Sequence, residues 1–404
     1  MMADTRYLTR ERPGTDGAIK ARCEDFRVDE IPAYEACGTG DHVFFRVRKT
    51  GVPTFAAVER IARHMGVSTQ AVGVAGLKDA HAVTSQWMSL EHIDPAKLEA
   101  FTDSQVSIEA ITRHTNKLKT GHLTGNRFTV RIREAGPGAL AIAEPIVDVL
   151  TRRGVPNFFG PQRFGDRGDT GQLGAAIIRE DAAEFLRVLL GGPRESDPPE
   201  CRAAREAFDA GDLDVAIEAW PRRYGDQRRT LAAYKKRGDA GRAMAAVDKR
   251  MKRLYVSAFQ SLIFNAVLAE RIDGLDGVML GDWAQKHDTG GVFRVDDVAA
   301  EAPRAERFEI SATGPIPGYR SRLGEGAVGE IELAAMERFE ITPGQFRIAG
   351  PLKVKGTRRA LRFRAEGLAV SAGDDEHGSY LELCFAAPSG SYATVLTDEI
   401  MKLG

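Results

Sequence analysis

The sequence predicts an α+β fold in which a strand-rich region is interrupted by a helix-rich insertion. Three observations predict it: apolar and charged residues alternate in several segments before position 134, long helical patterns occupy positions 181–272, and strand patterns return from position 359. A chain of 404 residues suggests two or three domains, with cores large enough to need no disulfide support.

The N-terminal region alternates strand and helix patterns. A helix is predicted after the second strand, with Thr54 as its cap and Gly66 as its stop. A polar loop from Gly76 to Ala82 separates two shorter strands. The strands of this region are predicted at residues 26–31, 42–49, 71–75, 83–90 and 128–133.

The middle of the chain is predicted to be mainly helical. Four glycines between positions 160 and 171 indicate a loop-rich entry, and residues 274–329 are rich in Gly, Asp and Pro. We therefore expect one domain from residues 1–155 with 341–404, and an inserted domain from residues 156–340. Helices are predicted at 181–190, 201–220, 240–272 and 392–402, and late strands at 359–364 and 380–385.

The net charge of −1 conceals three segments that are rich in Lys and Arg. Such segments can bind a polyanion locally, because phosphate contacts release counterions whatever the charge elsewhere. Each could instead be a solvated helix face, but three together favour a nucleic-acid partner. They span residues 113–133, 222–253 and 353–364.

Composition also limits the class of protein. The four cysteines are scattered without a CxxC pair, which is typical of small core residues in a reducing compartment. Residues 1–13 lack the apolar core of a signal peptide, and no apolar run approaches the ~18–20 residues that cross a bilayer. We expect a soluble cytoplasmic protein without a membrane segment.

Most active-site signatures are absent from the sequence. It contains no HExxH, no paired CxxC, no GxxxxGK[ST] and no GxSxG pattern. Gly38-Thr-Gly40 follows no convincing strand–helix unit, so a dinucleotide site is not predicted. Neither a metal nor a cofactor is expected, and His81 is interpreted as a loop or core residue.

One loop is distinctive, although Lys78-Asp79 between two strands would alone be an ordinary polar turn. Residues 76–86 match the pattern G-x-K-D-x-x-A-x-T-x-Q, and five further motifs follow the same chain order. With these matches, residues from about 19 to 401 resemble the TruD family of tRNA pseudouridine synthases. The five motifs are Glu24-Asp-Phe-Arg-Val28, Gly125-Asn-Arg-Phe128, Pro156-Asn-Phe-Phe-Gly160, Val256–Asn265 and Phe385–Thr394.

The resemblance implies a catalytic domain with a mixed, mainly antiparallel sheet and a helix-rich α/β insertion domain. It implies an isomerase that converts a uridine of tRNA, expected at position 13 in the D-arm, to pseudouridine. It implies no cofactor and no obligate protein partner, and we expect a monomer. The basic segments 222–253 and 353–364 would contact phosphates without reading bases.

The resemblance identifies Asp79 as the catalytic carboxylate. Such a group could attack C1′ of the ribose or withdraw a ribose proton to give a glycal, and both routes stay open. A carboxylate in a closed pocket is at risk of protonation, so a neighbouring cation is expected. Lys20 is the candidate, whereas Lys78 is adjacent in sequence but could point away from Asp79.

The target base must leave its stack, at a cost of a few kcal/mol, and stacking on a protein ring returns roughly 1–3 kcal/mol. The family pattern implies Phe26, Phe128 and Phe385 close to the base, with Asn126 hydrogen-bonded to it. Taken singly, the three phenylalanines would be core residues and Asn126 a turn residue.

Two other classes of function are weighed against this one. A non-catalytic RNA-binding protein or RNA chaperone could share the fold, although the intact Lys78-Asp79 loop disfavours it. A methyltransferase would need a glycine-rich cofactor loop after a strand, and the sequence offers none that is convincing.

Overall fold

The computed structural model describes residues 7–347, 352 and 354–403. These residues divide into two compact units. The first, which we call the sheet unit, contains residues 7–156 and 363–403. The second, the helical unit, contains residues 157–362. In the described part of the chain, no helix has the length and apolar character that a membrane span requires.

The first segment of the sheet unit supplies most of its strands. The strands and the helix predicted in this segment are found, together with four elements that were not predicted, at residues 95–99, 106–114, 139–153 and 155–156. In chain order, the elements of this segment are β1 (Phe26–Pro32), β2 (His42–Thr50), α1 (Thr54–Met65), β3 (Gly73–Val74), β4 (Val83–Glu91), α2 (Pro95–Glu99), β5 (Val106–His114), β6 (Leu123–Arg133), α3 (Ala139–Arg153) and β7 (Val155–Pro156).

Helices dominate the middle of the chain, as the periodicity predicted. They surround an apolar core to which Phe185, Trp220 and Phe259 contribute. The elements are α4 (Thr170–Ile178), α5 (Ala182–Leu190), α6 (Pro199–Asp209), α7 (Leu213–Ala219), α8 (Gly225–Arg237), α9 (Ala240–Ala245), α10 (Lys249–Arg271), β8 (Trp283–Lys286), β9 (Val292–Arg294), α11 (Val298–Glu306), β10 (Ile310–Ile316), α12 (Ala327–Glu337), β11 (Thr357–Ala360) and β12 (Arg362–Phe363).

The C-terminal segment completes the sheet unit with β13 (Glu366–Asp375), β14 (Gly378–Pro388) and α13 (Ala393–Met401). The described strands form an eight-stranded sheet in the order β13-β14-β6-β1-β4-β2-β5, with β3 added on β4. Strands β1 and β4 are parallel, and the other pairs are antiparallel. The expected mixed, mainly antiparallel sheet is therefore confirmed.

The register of the sheet aligns one residue from each of five strands in a single row. Directly paired residues project to the same face of a sheet, so this row forms part of one surface. The face also carries Phe45 and Val47, which pack with the apolar side of α1. Across the strands, the row reads Phe385, Phe128, Val28, Thr84 and Lys49.

Three local expectations differ from the structure. Pro53, rather than Thr54, occupies the cap position of α1, and the Thr54 hydroxyl is bonded elsewhere. The single helices predicted at 201–220 and 240–272 are each divided in two. New caps cause both divisions: the Asp212 side chain accepts from the amide of Val215, and Asp248 accepts from that of Arg250.

The second domain boundary also differs from the expectation. We placed it at residue 341, but the helical unit continues to Arg362. The reason is that β11 pairs antiparallel with β10, with Thr313 opposite Ala360, and that Phe346 is buried in the helical core. Strand pairing at residues 357–360 and burial of Phe346 therefore join this part of the chain to the helical unit, which the short patterns near position 359 did not reveal.

Gly125 provides a test of the sheet's close packing. A Cβ atom at this position would lie 2.3 Å from the carbonyl oxygen of Ala387, which is backbone and cannot move aside. Gly125→Ala should therefore destabilise the protein by about 1–3 kcal/mol, measured as a lower thermal unfolding temperature. Gly136→Ala is the matched control, because its Cβ would meet Thr15 at 3.8 Å, an ordinary contact. Equal unfolding temperatures for the two variants would contradict this packing argument.

Candidate active site

A buried ion pair anchors the loop formed by residues 76–82, hereafter the Asp79 loop. Lys78 turns away from Asp79, and its Nζ lies 2.6 Å from Oε2 of Glu30 on β1. Only 3% and 1% of the two side chains are exposed. The second oxygen of Glu30 accepts a hydrogen bond from the backbone amide of Trp87 at 3.1 Å. The loop is thereby fastened to both β1 and β4.

A second set of bonds connects the same loop to α1. The amide of Lys78 donates to the Thr54 hydroxyl at 2.9 Å, and that hydroxyl donates to Oε1 of Gln86 at 3.0 Å. The side-chain amide of Gln86 then donates to the carbonyl oxygen of Gly76 at 3.1 Å. Because Thr54 and Gln86 are buried, these bonds are shielded from competition with water.

The Asp79 carboxylate is paired with a cation. Lys20 places its Nζ 3.0 Å from Oδ1 of Asp79, with 25% and 42% of the two side chains exposed. An exposed pair of this kind contributes only about 0–1 kcal/mol to stability. Its main consequence is local, because it holds a positive charge against a carboxylate that solvent can still reach.

The backbone around Lys20 is also fixed. Lys20 has a φ of 58°, in the left-handed region that residues other than glycine rarely adopt. Its carbonyl oxygen accepts a hydrogen bond from Nε2 of His81 at 2.9 Å, and Nδ1 of the same ring lies 3.6 Å from the Cys23 sulfur. His81 therefore joins the Lys20 segment to the Asp79 loop.

A second lysine contacts Asp79 through its backbone. The fully buried Lys49 donates from Nζ to the Asp79 carbonyl oxygen at 2.7 Å. Burial lowers the pKa of Lys49 to about 8, the nearby charge of Asp79 raises it in opposition, and Lys78 lowers it further. Two cations thus lie beside Asp79, one at its carboxylate and one at its main chain.

Three aromatic rings line the face of the sheet next to Lys20. Phe128 stacks with Phe385 at 5.2 Å between centroids and meets Phe26 edge-on at 6.1 Å. The Lys20 ammonium lies 4.2 Å from the centre of the Phe26 ring. All three rings are buried, and Phe128 has the largest exposed fraction, 5%. They form a closely packed wall rather than separate open platforms.

Asn126 lies beside this wall with part of its side chain unsatisfied. It pairs with Glu30 on β1 and with Ala387 on β14, so its side chain shares their face of the sheet. Its Oδ1 is buried and has no hydrogen-bond partner among the described residues, and neither has the Thr84 hydroxyl in the adjoining row. Buried polar atoms are nearly always bonded, so an unpartnered acceptor indicates a place for a ligand donor.

The structure shows what two arginines of the basic segment 353–364 contact. Arg362 is buried, and only 7% of the Arg358 side chain is exposed: Arg358 bonds Glu332, and Arg362 bonds the Ala305 carbonyl and the Ser311 hydroxyl. The prediction that segment 353–364 grips phosphates is therefore wrong for these two residues, because their guanidinium groups are used inside the helical unit. Lys353 lies outside the described residues.

Comparisons with known proteins identify the family of this chain. The family model for tRNA pseudouridine synthase D (TruD) matches residues 2–400. A tRNA pseudouridine synthase D of Geobacter sp. strain M21 is 43% identical over 98% of this chain and 99% of its own. The protein of that name from Anaeromyxobacter dehalogenans strain 2CP-1 is 38% identical over 99% and 97%.

This chain belongs to the TruD family. As a member, it is an isomerase of the pseudouridine synthase class. A crystal structure from Methanosarcina mazei, titled as a candidate tRNA pseudouridine synthase D, superposes with a TM-score of 0.88 at 27% identity. The superposition covers 100% of this chain and 97% of that one, which confirms the predicted fold class.

The structure brings together all six site residues that the TruD resemblance implied, Asp79, Lys20, Phe26, Asn126, Phe128 and Phe385. Sequence reasoning missed Glu30, Lys49 and Thr54. A signal for Lys49 was present: it shares the alternation of Val43, Phe45 and Val47, which places a lysine on a buried face. Glu30 carried the same signal in β1.

The Glu30–Lys78 pair yields a prediction about stability. Lys78→Met should destabilise the protein by about 3–5 kcal/mol, because it leaves the Glu30 carboxylate buried without a partner. Glu30→Gln combined with Lys78→Met should recover much of this loss, since no unpaired charge remains. Chemical denaturation of the single and double variants measures both effects. A double variant no more stable than Lys78→Met would contradict the charge argument.

Lys49 yields a prediction about pH. Its pKa is about 8 in the folded protein and about 10.5 when unfolded, so between these values only the unfolded chain holds the proton. The stability of the wild type should therefore rise relative to Lys49→Met as the pH increases from about 8 to about 10. Unfolding free energies measured across this range test it. If the difference in unfolding free energy between the two proteins stays constant or falls over this range, the pKa of Lys49 is not lowered by folding.

Proposed function

We propose that this protein isomerises a uridine of tRNA to pseudouridine, with the Asp79 carboxylate as the catalytic group. The observation that carries the proposal is the pairing of Asp79 with Lys20 beside the phenylalanine wall and the unpartnered oxygen of Asn126. A negative charge, an aromatic surface and a free acceptor in one place are what a reaction at the sugar–base bond of a uridine requires.

The isomerisation of uridine to pseudouridine needs few catalytic groups. The bond between uracil N1 and ribose C1′ breaks, C1′ joins C5 of the same base, C5 loses a proton, and N1 gains one. Nothing is oxidised and no group leaves, so the reaction itself calls for neither a metal nor an electron carrier. An ionised carboxylate can attack C1′ or remove a ribose proton. In either route the Lys20 ammonium stays beside the carboxylate, 3.0 Å from its Oδ1.

Recognition of the base follows from the same surface. Uracil N3–H is a donor, and the buried Oδ1 of Asn126 is an acceptor without a protein partner. Extruding the base from folded RNA costs a few kcal/mol, which contact with the wall of Phe26, Phe128 and Phe385 offsets at roughly 1–3 kcal/mol per base.

The expected substrate position is uridine 13 in the D-arm, which follows from the family and not from the geometry. The sheet unit would carry out catalysis. Exposed basic residues of segment 222–253, such as Lys236 and Arg237 on α8, would contact phosphates. The proposal needs one protein chain, places it in the cytoplasm with its tRNA, and involves no cofactor.

Asp79→Asn is the decisive variant. It removes the charge but keeps the shape, so we expect pseudouridine formation to fall by at least about 10³-fold while tRNA affinity is retained. Pseudouridine in tRNA from cells lacking the protein, complemented with either form, gives the readout and identifies the modified position. Glu59→Gln, the same acid-to-amide change at an exposed position of α1, is the control and should be fully active.

Three results would argue against the proposal. Full activity of Asp79→Asn would exclude the carboxylate role. Persistence of every pseudouridine in cells without the protein would exclude the tRNA assignment. A fully dialysed wild-type protein that binds tRNA but never modifies it would favour an RNA chaperone or an enzyme that needs an added cofactor.

A further inference from the structure

A second cleft lies in the sheet unit, at the other end of its central strands. Its volume is about 670 Å³. Lys49, which contacts Asp79, and His42, which lines the cleft, are seven residues apart on β2. At about 3.3 Å per residue, their Cα atoms are roughly 23 Å apart. The cleft is therefore separate from the Asp79 site.

The lining of this cleft consists of residues that carry polar or charged side chains. It combines three histidines, two lysines, a tyrosine and an asparagine with a single acid among the lining residues. The residues are Tyr34, His42, Glu91, His114, Asn116, Lys117, Lys119 and His122. Lys117 and Lys119 belong to segment 113–133, whose basic residues have no role in the proposed reaction.

The hydrogen bonds around two histidines fix where their protons lie. The backbone amide of Cys37 donates to Nδ1 of His114 at 3.2 Å, and that of Lys119 donates to Nδ1 of His122 at 3.4 Å. A backbone amide can only donate, so each Nδ1 is an acceptor, and each neutral ring carries its proton on Nε2. The cleft thus has two Nε2–H donors whose tautomers are set by the protein.

Aromatic contacts hold these rings in place. Tyr34 stacks on His114 at 5.0 Å between centroids with 22° between the planes. Its hydroxyl lies 2.6 Å from Nδ1 of His122, and because that nitrogen is an acceptor, the hydroxyl donates to it. Burial raises the pKa of Tyr34, so the hydroxyl keeps its proton for this bond.

His42 supplies an independent indication that the cleft is made for a ligand. It is nine-tenths buried, and its Nδ1 has no hydrogen-bond partner among the described residues. Its Nε2 lies 3.7 Å from the Glu91 carboxylate, which is too far for a hydrogen bond. A buried ring nitrogen left unpaired beside a polar cleft is uncommon in a folded protein.

The loop that carries Lys119 is rigidly attached. The amide of Leu118 donates to the Ser89 hydroxyl at 3.0 Å, and the amide of Gly121 donates to the carbonyl oxygen of Ala75 at 2.8 Å. Ala75 immediately precedes the Asp79 loop. The cleft is thus preformed, and its wall is bonded to the chain segment that leads to Asp79.

We infer that this cleft binds a phosphate group of the RNA backbone, at a nucleotide remote from the one that reacts. Two oriented imidazole N–H donors, the exposed Lys119 ammonium and the amide of Asn116 are suited to phosphate oxygens. The inference rests on the proposed function, because it takes the RNA to be the tRNA substrate. Because His42 and Lys49 lie seven residues apart on β2, such a contact would fix how the RNA lies on the sheet unit without touching the reacting bond.

Lys119→Ala tests the inference, because Lys119 is exposed and its loss should not disturb folding. We expect the affinity for tRNA to fall about three- to tenfold, and the slope of log K against log salt to decrease by about 0.7–1. The turnover rate at saturating tRNA should be unchanged. Lys97→Ala on α2, the same change in the same unit but outside the cleft, should match the wild type in all three measurements.

A photo-reactive benzoylphenylalanine in place of Asn116 gives a second readout, with the same residue in place of Lys97 as its control. Cross-links from position 116 to one defined region of the tRNA support the inference. Absent or scattered cross-links, or a Lys119→Ala protein whose affinity and salt slope equal those of Lys97→Ala, overturn it.

Binding of inorganic phosphate tests whether the cleft takes a free phosphate ion instead of a phosphate group of the RNA backbone. If Lys119→Ala weakens phosphate binding but leaves tRNA affinity unchanged, the cleft takes a free anion and the inference is wrong. These binding measurements are independent of turnover. Failure of the proposed reaction would appear instead as an inactive wild type that still binds tRNA through the cleft.

Discussion

The arrangement around Asp79 depends on one buried ion pair, between Lys78 and Glu30. A loop between two strands lacks the regular hydrogen bonds of a helix or sheet. Without other contacts, the position of a carboxylate in such a loop would vary more than catalysis allows. Lys78 reaches back under the loop to a carboxylate on β1, and a second oxygen of that carboxylate holds the backbone of β4. Because the pair is buried, neither partner can be released without leaving a charge in an apolar interior.

The two lysines beside Asp79 serve different physical purposes. Lys20 is partly exposed and lies on the carboxylate, so it acts on charge. Lys49 is buried and lies on the carbonyl oxygen, so it acts on the position of the main chain. Together with Lys78, they place three ammonium groups on neighbouring parts of one short loop. Their mutual repulsion is offset in part by the carboxylates of Asp79 and Glu30, which lie 3.0 Å from Lys20 and 2.6 Å from Lys78.

Much of this molecule could be predicted from the sequence, and the remainder could not for identifiable reasons. Alternation located β1, β2 and β6, and the motif around Asp79 located the loop, since these are local patterns. The role of Thr54 was wrongly predicted, because sequence alone does not distinguish a threonine that caps a helix from one whose hydroxyl bonds a distant glutamine. The buried roles of Arg358 and Arg362 were hidden because a run of basic residues does not show which acids and carbonyls will face it. The unpartnered atoms of Asn126 and His42 depend on packing alone, and no sequence pattern signals them.

The order of strands in the sheet has a consequence for biosynthesis. The aromatic wall is shared between β1, β6 and β14, and the whole helical unit is encoded between the second and third of these. A chain emerging from the ribosome can form β1, β4 and β6 early, yet Phe385 arrives only after more than two hundred further residues have been made. Domains that emerge first tend to fold first, so the helical unit has time to fold while the sheet beside Phe128 still has an open edge. A truncated or stalled product would therefore contain Asp79 and Lys20 without a completed wall, and the edge of β6 that β14 normally covers would be open to aggregation.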